Sequence, residues 1–163
     1  MTTSNRPGVG RLDTPVGPIE VLVNEGGAVV RVSFVEDDAM AGESNDDACA
    51  AALHQLDEYF KDERHSFDLE LDPEGSDFEK QVWTELQQIP FGTTTTYGDI
   101  AHKLGDSGAS RAVGLANASN PIAIIIPCHR VIGADGNLTG YAGGLWRKKW
   151  LLAHESGQQD LGF

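Results

Sequence analysis

The chain has 163 residues, of which 40% are hydrophobic and 23% charged, and this composition excludes a disordered or fibrous protein. No apolar run approaches the roughly 18 residues of a membrane-spanning helix, and the N-terminus MTTSNRPGVG lacks the apolar core of a signal peptide, so we expect a cytoplasmic protein. A net charge of −13 argues against a nucleic-acid partner only if the charge is evenly spread.

The N-terminal part begins with a predicted β-hairpin. The stretch IEVLVNEGGAVVRVSFVE alternates Val and Ile with polar residues, and Gly26-Gly27 is typical of the turn between two strands. We therefore expect a small antiparallel sheet. A later stretch, SFDLELD, is predicted to be one more strand.

Residues 47–62 predict an amphipathic helix. Four of its apolar side chains fall on roughly one side, namely Ala51, Leu56, Tyr59 and Phe60. Cys49 lies in the same stretch and is interpreted as a small core residue. The two cysteines are far apart and favour free thiols, and neither a CxxC pair nor histidines at ligand spacing indicate a metal site.

The sequence PEGS, residues 73–76, predicts a boundary between an N-terminal domain of residues 1–75 and a C-terminal domain of residues 76–163. The charge divides at the same place. Residues 1–75 hold 5 basic and 17 acidic side chains, whereas residues 76–163 hold 7 basic and 8 acidic ones. We interpret the acidic N-terminal surface as serving solubility. The nearly neutral C-terminal domain remains open to a nucleic-acid partner.

The C-terminal domain opens with two predicted capped helices. Ser76 and Glu79 have the spacing of a capping box, and Thr96 is placed to cap a second, shorter helix. The apolar faces are Phe78, Val82, Leu86 and Ile89 in the first helix, which ends at Pro90, and Tyr97, Ile100, Ala101 and Leu104 in the second.

The stretch ASRAVGLANASN, after the turn GDSG, predicts a third helix, and together with the preceding one it resembles a helix-turn-helix. This helix is nearly bare, because most of its residues are Ala or Gly and Arg111 is its one long charged side chain. A bare helix can approach another surface closely. Close packing inside the protein is the alternative, and the pattern leaves both open.

The stretch IIIPCHRVIGADG, residues 124–136, places Cys128, His129 and Arg130 directly after an apolar run. A reactive thiol normally lies near solvent and positive charge, whereas an inert structural thiol does not need polar neighbours. The apolar run before Cys128 therefore favours a buried structural thiol, whereas the polar residues after it favour a reactive one.

Residues 76–163 closely resemble the O6-alkylguanine-DNA alkyltransferases, also called methylated-DNA-protein-cysteine methyltransferases. The resemblance is carried by FEKQVW, IPFGTTTTYGDIA, RAVGLAN, NPIAIIIPCHRVIGADGNLTGYAGG and RKKWLLAHE. The N-terminal part matches more loosely, in its length, in TPVGPIEV and in its strand pattern. The resemblance implies an α+β fold, with a small ribonuclease-H-like sheet domain followed by a winged-helix-like domain that contains the helix-turn-helix.

The resemblance also implies a function, which is direct-reversal DNA repair by a suicide enzyme. Cys128 would accept the alkyl group from O6-alkylguanine in double-stranded DNA, after the base has been flipped into a pocket deep in the protein. No cofactor and no metal are implied, and we expect a monomer. The preferred alkyl group, activity on O4-alkylthymine and cooperativity on DNA stay open.

The catalytic roles carry over position by position. His129 would take the proton of Cys128 through a water molecule, and Glu155 would orient His129. Asn120 and Pro121 match the hinge between the recognition helix and the active-site strand. Two further positions match family residues at the active site, Tyr97, whose hydroxyl would meet the flipped guanine, and Lys148, near the active-site loop.

The substrate and DNA contacts carry over in the same way. Arg111 matches an arginine that takes the place of the extruded base, Tyr141 matches a residue that lines the alkyl pocket, and the backbone groups of Cys128 and Val131 would bind the guanine edge. The remaining predicted contacts are Gly114, Arg130 and Ala142. Ala142 stands where some members have serine, so only its backbone N–H would serve the O6 atom. Trp146 is bulky for a loop near the pocket.

Two other functions compete with this one. A non-catalytic module of the alkyltransferase-like type would recognise the alkylated base without reacting, but such modules lack the reactive cysteine that this chain has. A cysteine hydrolase would need an oxyanion site and a distant histidine, and no motif of the sequence indicates either.

Overall fold

The structure is a computed structural model that describes residues 7–35, 47–136, 141 and 143–157. Its helices and strands confirm the predicted α+β class. The chain divides into two compact units: the described residues up to Glu74 form the first unit together with Pro121–Ile125, and the other residues form the second. The predicted domains did not include this return of Pro121–Ile125 to the first unit. None of the described helices is long and apolar enough to cross a membrane.

The first unit contains an antiparallel sheet with the strand order β1-β2-β3. The strands are β1 (Gly8–Leu12), β2 (Ile19–Val23) and β3 (Val29–Phe34). The predicted hairpin is confirmed: Gly27 has a φ of 88° in the turn, and Oδ1 of Asn24 accepts hydrogen bonds from the N–H groups of Gly26 and Ala28 at 2.9 and 3.0 Å. Glycine adopts such a positive φ without steric cost, so the turn closes tightly.

Helix α1 (Ala50–Phe60) follows a 3₁₀ turn and buries Ala52, Leu56 and Tyr59. The predicted position of Ala51 on the buried side is wrong, because Ala51 is exposed. Ala52 lies four residues before Leu56 and shares its face, whereas Ala51 lies five residues before and turns away. Cys49 is fully buried, as predicted, with its thiol 3.7 Å from the carbonyl oxygen of Val21.

The predicted strand SFDLELD is wrong as a regular strand. Only Leu71 forms a β-bridge, with Val29 of β3, and a second bridge joins Val32 of the same strand to Ile122. Because two separate segments pair along β3, neither extends into a full strand. The segment that contains Ile122 also holds Ile124 at a φ of 72°, which is a strained conformation for a β-branched residue.

The second unit is built from four α-helices and two short strands in its described residues. They are α2 (Asp77–Leu86), β4 (Thr95–Thr96), α3 (Tyr97–Lys103), α4 (Ser110–Ala118), β5 (Val131–Ile132) and α5 (Leu145–Ser156). The predicted capping box is confirmed, since Ser76 Oγ accepts the N–H of Glu79 at 3.1 Å and Glu79 Oε1 accepts the N–H of Ser76 at 2.9 Å. The Thr96 cap is confirmed as well, at 3.1 Å from the N–H of Asp99.

Helices α3 and α4 form the predicted helix-turn-helix, with Gly105 at a φ of 84° in the turn between them. The inner face of α4 buries Val113, Ala116 and Asn117. Its outer face exposes Arg111, Ala112, Leu115 and Ala118. The bare helix is therefore packed on one side and open to solvent on the other.

The two short strands place α3 beside the Cys128 region. Strand β4 pairs in parallel with β5, with Thr95 opposite Val131 and Thr96 opposite Ile132. Tyr97 directly follows β4, and Cys128 lies three residues before β5. Parallel pairing holds neighbouring strands about 4.8 Å apart, so the start of α3 runs alongside the chain that leaves Cys128.

Candidate functional site

Cys128 is the first residue of a 3₁₀ turn, Cys128–Arg130, and is only 7% exposed. Burial raises the pKa of this thiol, while a hydrogen bond with the Asn120 side chain and the positive charge of Lys148 partly oppose the rise. The thiol is thus mostly protonated at neutral pH, and nucleophilic attack requires a base that removes its proton.

His129 is paired with Glu155 of helix α5. The imidazole is fully buried, and its Nε2 lies 2.6 Å from Oε2 of Glu155. Because an ionised carboxylate only accepts hydrogen bonds, Nε2 carries the proton and Nδ1 carries the lone pair. Nδ1 is buried and has no hydrogen-bond partner among the residues that the structure describes. The orientation leaves Nδ1 as the nitrogen that can accept a proton.

Glu155 is ionised although it is buried. Burial favours the neutral acid, but the charge that His129 carries when it is protonated, the hydrogen bond from its Nε2, and the hydrogen bonds and charge of Arg130 together outweigh the burial and hold the pKa of Glu155 well below its usual range. Arg130 Nε lies 2.7 Å from Oε1, and Nη2 lies 2.9 Å from Oε2, which is bidentate geometry.

The side chain of Arg130 is directed into the protein. Its side chain is buried, and its third contact is from Nη1 to the carbonyl oxygen of Ile89 at 2.6 Å. The guanidinium also stands 5.7 Å from the ring centre of Phe91. The predicted substrate or DNA contact of Arg130 is therefore revised, because its donors are used by Glu155 and Ile89. Its position is that of a support for Glu155.

Lys148 brings a second buried cation to the site. It is fully buried on α5, and its Nζ donates a hydrogen bond to the carbonyl oxygen of Val131 at 2.7 Å. Burial lowers the pKa of Lys148 to about 8, with the Cys128 charge acting in the opposite direction. The ammonium group thus remains mostly charged at neutral pH and favours a thiolate nearby.

Asn120 and Tyr141 complete the surroundings of the thiol. Asn120 Nδ2 donates to the carbonyl oxygen of Ile126 at 2.9 Å, in addition to the bond between its side chain and Cys128. Burial, followed by the charges of Cys128 and Glu155, raises the pKa of Tyr141 well above its usual value, so its phenol stays neutral. We call Cys128, His129, Glu155, Lys148 and Asn120 the thiol cluster.

Three other predicted residues lie on the helix-turn-helix. Tyr97 is the first residue of α3 and is half-buried, and Arg111 lies on the exposed face of α4. Gly114 faces Tyr97, since a Cβ atom there would stand 3.8 Å from the tyrosine ring. Ala142, a further predicted contact, lies outside the described residues.

One polar residue of the site was missed by the sequence predictions. Asn117 is buried on the inner face of α4, and its Nδ2 lies 3.4 Å from the carbonyl oxygen of Cys128. A sequence signal existed, because Asn117 lies four residues after Val113 in a helix of small apolar residues, which is a buried position.

The site holds a buried thiol, and the next residue in the chain is a buried imidazole that is held by a carboxylate. Within the described ranges, no group of three or more His, Cys, Asp or Glu residues is placed to hold a metal ion. The chemistry that these side chains support is nucleophilic attack by Cys128 after proton transfer to His129.

Comparisons with known proteins point to one family for both parts of the chain. Residues 77–157 match the model "6-O-methylguanine DNA methyltransferase, DNA binding domain", and residues 9–73 match "6-O-methylguanine DNA methyltransferase, ribonuclease-like domain". A methylated-DNA–protein-cysteine methyltransferase of Mycolicibacterium paratuberculosis is 60% identical over 111 residues, covering 68% of this chain and 67% of that protein.

Two further relatives match over most of their length. The protein of the same name from Methanosarcina acetivorans is 49% identical over 148 residues, covering 88% of this chain and 94% of that protein. A crystal structure of Mycobacterium tuberculosis OGT in complex with DNA superposes with a TM-score of 0.82 at 45% identity, covering 91% of this chain and 92% of that one.

Proposed function

The chain belongs to the 6-O-methylguanine DNA methyltransferase family, and from this premise we propose that Cys128 takes the alkyl group from O6-alkylguanine in double-stranded DNA. The activity of the chain is direct-reversal DNA repair, and DNA is its partner. The choice of residue, the alkylated guanine as substrate and the roles given below are proposals about this chain.

The surroundings of the two cysteines support Cys128 as the alkyl acceptor. Cys49 is packed in the core of the first unit, where the contact of its thiol is with the carbonyl oxygen of Val21. The Cys128 thiol is influenced by the Asn120 amide and the Lys148 ammonium, and the next residue in the chain, His129, is paired with Glu155. The 2.6 Å contact between His129 and Glu155 is the observation that carries the proposal. It fixes the orientation of the imidazole in the residue that directly follows Cys128.

The proposed reaction begins with the loss of a proton from Cys128. His129 Nδ1 accepts this proton through a water molecule, and Glu155 stabilises the imidazolium that results. The thiolate then attacks the alkyl carbon, the carbon–O6 bond breaks, and its electron pair returns to the guanine ring. The resulting guanine anion takes up one proton at N1 from water, and the His129 imidazolium returns its proton to water, so the protons balance. Lys148 and Asn120 lower the energy of the thiolate through charge and hydrogen bonding.

The product of this step explains a single turnover. Attack at a saturated carbon leaves a thioether on Cys128, and a thioether has no carbonyl group that water can attack. A cysteine hydrolase instead forms a thioester, which water cleaves. Each chain is therefore consumed by one transfer.

The helix-turn-helix is the proposed DNA-binding element. A nucleophile buried in the protein can reach a base only if the nucleotide leaves the stack, and the exposed face of α4 offers Arg111 to fill the gap that results. Small residues around Arg111 allow the helix backbone to approach the duplex closely. Tyr97, beside Gly114, is proposed to meet the flipped nucleotide. A monomer and a cytoplasmic location remain predictions.

Substitution of each cysteine tests the proposal. Cys128→Ser should abolish alkyl transfer from a duplex with O6-methylguanine while binding of that duplex persists, because a hydroxyl is a far weaker nucleophile of similar size. Cys49→Ser is the matched control and should retain transfer. Alkyl uptake by the Cys128→Ser protein would contradict the assignment, and loss of uptake only in the Cys49→Ser protein would transfer the role to Cys49.

A further inference from the structure

Two backbone carbonyls next to the thiol each accept a hydrogen bond from a buried side chain of another element. The carbonyl oxygen of Cys128 faces Asn117 Nδ2 of α4 at 3.4 Å and also accepts the N–H of Val131, which closes the turn. The carbonyl oxygen of Val131 accepts Nζ of Lys148 of α5 at 2.7 Å. The first carbonyl is thus contacted by a donor from α4, which precedes it in the sequence, and the second by a donor from α5, which follows it.

We infer that Asn117 is a positioning residue, which orients the Cys128 carbonyl to accept a hydrogen bond from the 2-amino group of the flipped guanine. The inference rests on the proposed function. In O6-alkylguanine N1 carries no hydrogen, so the 2-amino group is the donor on the edge that also bears the O6 atom. When the alkyl carbon stands at the Cys128 thiol, the backbone of the same turn supplies the nearest acceptors.

The local environment of Asn117 favours a functional role over a packing role. The residue is 4% exposed, and Oδ1 of its amide is buried without a hydrogen-bond partner among the described residues. A buried polar atom without a partner destabilises the folded state, so an apolar side chain would suit the packing of α4 better. Asn117 Nδ2 nevertheless faces the Cys128 carbonyl.

The length of this contact matters for the proposed role. At 3.4 Å the contact is longer than a strong N–H···O bond, which has a donor–acceptor distance of about 2.9 Å. A carbonyl oxygen has two lone pairs, and the Val131 N–H takes one of them. The long contact with the amide engages the second lone pair only weakly, so the amide orients the carbonyl and a base can displace it with a shorter bond. Lys148 likewise donates a hydrogen bond to a backbone carbonyl, that of Val131, but its charge also acts on the Cys128 thiol. A substitution of Asn117 therefore tests the positioning of a carbonyl without changing the charge near the thiol.

The experiment compares two substrates that differ only in the 2-amino group. Single-turnover rates are measured with duplexes that contain O6-methylguanine or O6-methylhypoxanthine, for wild type and for Asn117→Leu. Wild type should prefer the guanine by about tenfold, the factor that one neutral hydrogen bond supplies. The variant should lose this preference through a slower reaction with guanine, and its rate with hypoxanthine should stay within about twofold of wild type.

Controls separate positioning from stability. Val113→Ala shortens another buried side chain of α4 and should keep the tenfold preference even if it lowers the thermal stability. The pH profile of the Asn117→Leu reaction should match that of wild type, because thiolate formation does not depend on the amide. If Asn117→Leu does not fold, Asn117→Ala replaces it with the same expected ratio.

Each outcome decides a different claim. A folded Asn117 variant that keeps the wild-type preference overturns the inference, and so does a wild type without any preference between the two bases. Failure of wild type to take up methyl from either duplex overturns the proposed function instead.

Discussion

A thiol buried at Cys128 is reactive only if several neighbours compensate for the burial. Burial raises its pKa, and the buried Lys148 charge and the Asn120 hydrogen bond lower it only in part. In the proposed mechanism the pair of His129 and Glu155 supplies the remaining driving force, because the imidazole accepts the proton when the substrate is bound. The protein therefore keeps its nucleophile protected as a thiol until it reacts.

The role of Glu155 is tested by Glu155→Gln. We expect alkyl transfer at pH 7 to slow by about 10- to 100-fold, because a neutral amide stabilises the imidazolium of His129 less well. The difference from wild type should narrow as the pH rises toward the raised pKa of the thiol, where the thiol ionises with less help from a base. Single-turnover rates across this pH range measure both effects.

A loss of stability is the competing explanation for a slow Glu155→Gln protein, since the variant leaves Arg130 buried without its counter-charge. Thermal unfolding measured beside the rates separates the two effects, with Glu85→Gln on α2 as the control. The folded-state pKa of Glu155 is lowered, so its ionisation stabilises wild type above the unfolded value of 4.5, and this stabilisation is lost as the pH falls. A folded variant with wild-type rates at every pH would remove Glu155 from the mechanism.

Lys148 gives a stability prediction at alkaline pH. Its pKa is about 8 in the folded chain and 10.5 in the unfolded chain, so the unfolded chain binds more protons between these values. Wild type should therefore gain up to about 3 kcal/mol relative to Lys148→Met as the pH rises from 8 to 10.5. Urea unfolding at several pH values measures the difference. Lys149→Met, at an exposed position, is the control, and parallel pH curves for wild type and Lys148→Met would contradict the prediction.

At the scale of elements, the C-terminal end of α4 is fixed to α2 by side chains. Trp83 Nε1 donates to the carbonyl oxygen of Ala116 at 2.8 Å, and Ser119 Oγ donates to Glu79 at 2.7 Å. Glu79 is also the capping-box residue of α2, so one carboxylate serves both helices. These contacts fix the C-terminal end of α4 against α2, and the outer face of α4 remains exposed.

The exposed face of α4 is tested by Arg111→Ala. Repair of O6-methylguanine in a duplex should fall by at least about tenfold, since unstacking a base costs a few kcal/mol and the arginine offsets part of that cost. Reaction with free O6-benzylguanine base should change by less than about twofold, because a free base needs no flipping. Lys103→Ala, which removes an exposed cation at the end of α3, is the control for the loss of one positive charge and should reduce repair less than Arg111→Ala does. Equal losses on both substrates would indicate a structural role for Arg111.

At the scale of the whole molecule, the charge of −13 hides a nearly neutral DNA-binding unit. Four of its basic side chains are exposed, namely Lys80, Lys103, Arg111 and Lys149. If only these contact phosphates, the logarithm of the association constant should fall with the logarithm of salt concentration with a slope no steeper than about −4. Titration of an undamaged duplex at several NaCl concentrations measures the slope. A slope near −7 would show that other cations contribute.

Local patterns in the sequence predicted local structure well. The capping box of Ser76 and Glu79 and the turn at Gly27 are fixed by neighbours in the chain, and both are confirmed. The prediction of a strand at SFDLELD failed because pairing along β3 is shared between Leu71 and a segment around Ile122, which lies 51 residues later in the chain. No sequence period reports such competition between distant segments.

Site residues could be predicted where a family motif contains them, and less well where the role of a residue depends on its burial. Arg130 lies in such a motif and was predicted to contact substrate or DNA, but its side chain donates hydrogen bonds to Glu155 and to the carbonyl oxygen of Ile89 inside the protein. Asn117 was overlooked because its partner is a backbone carbonyl eleven residues away, which the fold and not the local sequence brings near. Both differences arise from tertiary contacts within the second unit.

We propose that Cys128 accepts one alkyl group and is then spent. The most direct measurement is the intact mass of the protein after incubation with excess duplex that contains O6-methylguanine, followed by peptide mapping. We expect one added methyl group per chain, located on Cys128, and one guanine restored per chain. A methyl group on Cys49, an unmodified chain that binds the duplex, or more than one guanine restored per chain would contradict it.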